Sequence, residues 1–176
     1  MIRYSSLFFV LSFVGALHAA DKISLADYLT YRVPRTVSLE VFKGVAKVIE
    51  ENEKLTEYST TKMDVDGQKW GGKTALHELL LKFSTIKEDG AEFDATRRDL
   101  IAQLLTKLAP DQAHELIQKE TKTSKATPKA IIAFYGSDER AQYLYTEGEQ
   151  EKLLALLKQY DQPTSVDAED AAMNDA

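Results

Sequence analysis

The 176-residue chain is 44% hydrophobic and 28% charged, close to ordinary globular usage, which excludes collagen-like, low-complexity and wholly disordered chains. A formal charge of −6 and a pI near 5.2 argue against a nucleic-acid partner, because phosphate binding needs a surplus of Lys and Arg on one face. The absence of cysteine excludes disulfide frameworks, thiol nucleophiles, iron–sulfur clusters and thiolate zinc sites.

Residues 1–19 read as a cleavable signal peptide. Arg3 precedes an apolar run from Leu7 to Leu17, which is too short to cross roughly 30 Å of hydrocarbon but suits a signal core. Cleavage is expected after Ala19. Loss of Arg3 leaves 21 Lys and Arg against 28 Asp and Glu. An exported, cysteine-free chain of this size fits a periplasmic or secreted protein. With no later stretch as long as a membrane span, no stable membrane insertion is expected after cleavage.

From residue 20 to 160 helical periodicity dominates. Ser24-Leu25-Ala26-Asp27 has the spacing of a capped helix start, and Pro34 closes that element. Val41, Phe42, Val45, Val48 and Ile49 recur at steps of three and four, predicting an amphipathic helix from Ser38 to about Asn52. Residues 53–73 break the pattern: Asp64-Val65-Asp66-Gly67 and Gly71-Gly72 are turn chemistry, and a loop or short hairpin is expected. Thr74 caps a helix bearing Leu76, Leu79, Leu80 and Phe83. After a polar stretch to Phe93, Asp94 can cap a helix with Leu100, Ile101, Leu104, Leu105 and Leu108, and Pro110 closes it or starts the following turn.

Ala113, Leu116 and Ile117 suggest a brief helix, followed by a lysine-rich stretch from Lys119 to Lys129 read as a solvated loop able to meet an acidic partner. Thr127-Pro128 starts another helix, since Pro at the first helical position loses no needed donor, and Gly136 is expected to stop it. A helix from Ser137 and one from about Glu149 to Tyr160 complete the series. Residues 161–176, with five acids and no base, read as a disordered acidic tail. The expected fold class is all-α, with no convincing strand pair.

One segment carries more than periodicity. Gly72-Lys73-Thr74-Ala75-Leu76-His77 resembles the Gly-x-Thr-Pro-Leu-His start of an ankyrin repeat, and Asp99-Leu100-Ile101-Ala102-Gln103-Leu104-Leu105 its second helix. Ala126-Thr127-Pro128 through Gly136 is a weaker echo, with Leu153 to Leu157 closing that repeat. Thr74 and Thr127 are 53 positions apart where the family period is about 33. The resemblance covers about residues 65–160 and implies a short solenoid of stacked antiparallel helix pairs, with structural roles for Thr74, His77, Thr127 and Pro128. His77 would then tie down the loop between repeats. An irregular helical bundle is the alternative fold.

Enzyme signatures are missing. No His-Glu-x-x-His, Gly-x-Ser-x-Gly or phosphate-binding glycine loop occurs, so no catalytic residue, cofactor or metal ligand is expected. Read as a calcium loop, Asp64-x-Asp66-Gly67 would put Lys62 and Lys73 at positions that need acids. Glu50, Glu51 and Glu53 read as solvated charge. Trp70, the sole tryptophan, lies beside Lys69 and a Gly-Gly pair, and Asp64, Asp66, Lys69 and Trp70 are the candidate partner-binding residues. The expected function is an exported, non-catalytic protein-binding module with a protein partner. A periplasmic inhibitor or immunity protein blocking a toxin or enzyme is the alternative. A hydrolase built on His77 or His114 comes third.

Overall fold

A computed structural model describes residues 23–63, 67–137 and 144–162. Within them the chain is mostly helical: α1 (Leu25–Tyr31), β1 (Thr36–Val37), α2 (Leu39–Lys43), α3 (Val45–Glu51), β2 (Lys62–Met63), β3 (Lys69–Trp70), α4 (Ala75–Leu81), β4 (Phe83–Ser84), a 3-10 turn (Lys87–Asp89), α5 (Gly90–Thr106), α6 (Pro110–Gln118), α7 (Pro128–Ser137) and α8 (Glu149–Tyr160). The signal-peptide segment and residues 163–176 of the acidic tail lie outside the described residues. Among those described, no helix is long and apolar enough to cross a membrane.

The caps explain most helix starts. Ser24 Oγ accepts the amide of Asp27, Ser38 Oγ that of Val41, and Thr74 Oγ1 that of His77. Pro110 and Pro128 each occupy the first position of a helix, where a missing N–H costs nothing. Gly44 divides the helix expected over 38–52 into α2 and α3. Asp94 caps nothing: α5 begins at Gly90, and Asp94 sits inside it as a buried ion-pair partner. Gly136 does not stop α7, which runs to Ser137.

Two short strand pairs are present, one of them the hairpin expected over 53–73 and the other unforeseen. β1 and β4 pair in parallel, Thr36 with Phe83 and Val37 with Ser84, and β2 and β3 form the antiparallel hairpin of the 53–73 region. Each strand is two residues long, too short for a period of two to register in sequence.

In chain order the helices group as three layers, α1 to α3, α4 with α5, and α6 to α8. α1 packs on α4 and α4 on α7; α2 and α3 pack on α5, and α5 on α8. α4 touches α5, α7 touches α8, and α6 lies against α7 and α8. Every residue of α4 is buried. A single apolar core of Leu25, Leu29, Phe42, Ile49, Leu76, Leu80, Ile101, Leu104, Ile132, Leu153 and Leu157 runs through all three layers, and Phe42 stacks on Phe93 with ring centroids 4.3 Å apart.

Candidate functional site

The helices α1, α4 and α7 all begin at one end of the molecule, where the segments before and between the layers run side by side. This is the loop end. Ser59 donates its amide to Lys73 O and accepts that of Gly72, and Lys122 donates its amide to Gly72 O at 2.8 Å. Three segments far apart in sequence are thereby laced by backbone alone. Gly71 and Gly72 permit it. Both have positive φ, and a Cβ on Gly71 would lie 2.1 Å from Thr60 O.

His77 locks the lacing from beneath. Its Nδ1 accepts the Thr74 amide at 3.2 Å, which leaves the ring proton on Nε2 to donate to Ala126 O at 3.1 Å. The Thr74 hydroxyl lies 2.7 Å from Nδ1. That distance suits a nucleophile and base, but both residues have no exposed surface and the hydroxyl is committed to the cap. Burial pushes the His77 pKa down to about 4, so the ring is neutral at pH 7.

The first layer repeats the device with different atoms. Asp27 stands third after its cap, as His77 does, and accepts the Thr60 amide at 2.7 Å and the Thr60 hydroxyl at 3.2 Å. Ser24, Thr74 and Thr127 thus hold equivalent stations before α1, α4 and α7, separated by fifty and fifty-three positions. Thr127 Oγ1 accepts the Ala130 amide, and Pro128 is buried at the head of α7.

Lysines gather on the outer side of this lacing. Lys62 Nζ lies 4.1 Å from the Tyr31 ring centre, while Lys119 and Lys122 lie 5.1 and 4.7 Å from that of Tyr58. The Tyr58 hydroxyl donates to Glu120 O. Asp64 and Asp66 lie outside the described residues, and for Lys69 and Trp70 only the backbone, in β3, is described. The loop read as solvated is exposed over 122–125 and is also an ordered turn: Thr121 Oγ1 accepts the amides of Ser124 and Ala126, and Lys125 sits at φ 55°. His114, read from sequence as a plain surface residue, has Nδ1 2.7 Å from Asp161 Oδ1. Asp161, placed by sequence in the tail, also accepts from Gln118 and Lys129. Burial raises its pKa, but those donors outweigh that and hold the carboxyl below its ordinary value.

The opposite end, where the chain turns from α4 to α5 and enters α8, is held by buried charge. Arg97 donates to Asp94, to Lys82 O at 2.8 Å and to Leu144 O at 2.9 Å. Asp94 accepts the amide and hydroxyl of Thr146. Arg98 pairs with Glu149, whose pKa burial and nearby Asp94 push up to about 7 against the pull of Arg98 and Arg97. Lys82 is likewise buried, and its ammonium donates to Leu29 O, Val33 O and Glu78. A cleft of about 1010 Å³ opens beside this cluster, lined by Phe83, Ile86, Asp94, Tyr135, Tyr145 and Glu151 among others. Among the described residues no His, Asp and Glu group could hold a metal.

Comparison with protein-family models, curated proteins and solved structures finds no match to the chain. Sequence reasoning missed Asp27, Tyr31 and Tyr58 as parts of this end. Asp27 was visible as the third residue of a capped start, the station that His77 holds in α4.

Proposed function

We propose that the chain is an exported, non-catalytic protein-binding module built as a short ankyrin-like solenoid whose loop end carries the partner. The observation that supports it most is the repeated station. Asp27 bonds forward to Thr60 and His77 bonds forward to Ala126, so the third residue after each of the first two caps ties down a later segment, by accepting in one case and donating in the other. The helix order α1–α4–α7 and α2/α3–α5–α8 is what stacked helix pairs require. The 50- and 53-residue spacings are a long, nearly regular period whose extra length is taken up by the β2–β3 hairpin and by α6. Such a scaffold offers its loop tips for binding, and Trp70 stands in the hairpin at that end.

Affinity capture from an envelope extract tests this reading. The protein cleaved after Ala19 should retain a stoichiometric protein partner, and Trp70→Ala should weaken retention. Finding no partner while the variant and the parent have equal folding stability sinks the reading, as does a membrane-bound product that keeps residues 1–19.

A further inference from the structure

Lys62, Lys122 and Lys125 reach the surface from two segments that the backbone lacing brings to one strip. The first follows the Ser59–Thr60 stretch, and the other two belong to the 121–126 turn that bonds to Gly72. All three side chains are exposed, and among the described residues no ion pair engages any of them. Two of the ammoniums rest on tyrosine rings, Lys62 on Tyr31 and Lys122 on Tyr58. The rings themselves are fixed by hydrogen bonds to Thr60 O and Glu120 O. A lysine held against a ring has already given up much of its rotamer freedom, so an incoming anion meets a placed charge rather than a mobile one. Lys125 is displayed by a left-handed backbone that an L-residue rarely adopts, kept in place by the Thr121 hydroxyl. The rest of the chain carries a surplus of acid, so these three unpaired lysines stand out as a local exception to its charge.

We propose that this strip docks a carboxylate-rich segment of a partner protein, a reading that rests on the binding-module proposal and gives its partner a chemistry. Carboxylates fit better than phosphates. The strip has no arginine to grip a phosphate by two parallel bonds.

The test is fluorescence anisotropy of a labelled octaglutamate peptide titrated with the full mature chain at low and at physiological salt. Binding should saturate, weaken with salt, and fall roughly three- to tenfold in the double variant Lys122→Gln, Lys125→Gln. The double variant Lys47→Gln, Lys152→Gln removes equal charge elsewhere and should bind as the parent does. Equal loss in both variants reduces the effect to net charge and overturns the proposal. Tighter binding of a single-stranded oligonucleotide of equal charge overturns it in favour of nucleic acid. Several-fold tighter octaglutamate binding by a chain ending at Gln162 overturns it in favour of the chain's own acidic C-terminus. Retention of a captured partner by the Lys122→Gln, Lys125→Gln variant would leave the binding-module reading standing and remove only this chemistry.

Discussion

At the loop end, neighbouring layers meet through backbone amides, one neutral imidazole, the Asp27 carboxylate and two tyrosine hydroxyls. At the turn end, α5 meets the 144–149 segment through Arg97, Asp94, Arg98 and Glu149. Backbone lacing asks little of the residues it joins beyond small size at Gly71 and Gly72, so the side chains there are left over to face outward. Buried ions ask for everything: each charge is stable only with its partner in place, and side chains so committed cannot change without loss. The contrast separates a variable, displaying surface from a fixed joint.

The joint should be the more fragile under substitution. Arg97→Met leaves Asp94 short of its partner and frees two carbonyls, and should cost about 3–5 kcal/mol in urea unfolding. Gly71→Ala attacks the lacing through its left-handed φ and the close Thr60 carbonyl, and should cost about 1–3 kcal/mol by the same measurement. A loss at Gly71 that equals or exceeds the loss at Arg97 would break the comparison.

Acid separates the two ends by sign. His77 has its pKa depressed when folded, so its contribution is complete above pH 6.5. That contribution falls as pH drops toward 4, by about 3 kcal/mol at most. Glu149 has its pKa raised to about 7, so the folded state gains relative stability as pH drops from 7 toward 4.5. Thermal unfolding across pH 4–8 should show the parent's Tm gaining from the Glu149 proton as pH drops from 8 to 5, and Glu149→Gln losing that pH-dependent gain. His77→Gln should be costly at pH 7 and lose part of that cost near pH 4. The smallest effect is expected at Lys43, whose pair with Glu92 is open to solvent: Lys43→Ala should leave the urea midpoint indistinguishable from the parent's.

The loop end was far more legible in the sequence than the turn end. Ser24, Thr74 and Thr127-Pro128 announce their helices because capping acts over three residues, and α8 falls at Glu149–Tyr160 as its leucines indicate. His77 stood out through a local motif. Arg98 and Glu149, by contrast, are 51 positions apart and Asp94 and Thr146 are 52 apart, and no short-range period links such pairs. Asp94 was misread because a single acid before an apolar stripe looks like a cap, while its partners are Arg97 one turn on in the same helix and the distant Thr146. Gly44 was equally silent, since the apolar stripe continues in phase across the break between α2 and α3.

The complete burial of α4 has a consequence for the time course of opening. A seven-residue helix is far too short to hold itself, so its amides are protected only while both flanking layers stay in place. Hydrogen exchange at Leu79 and Leu80 should then proceed at one shared rate set by whole-molecule unfolding, and a protease added to the native protein should yield no stable half. Three layers clamped on one central rod come apart together.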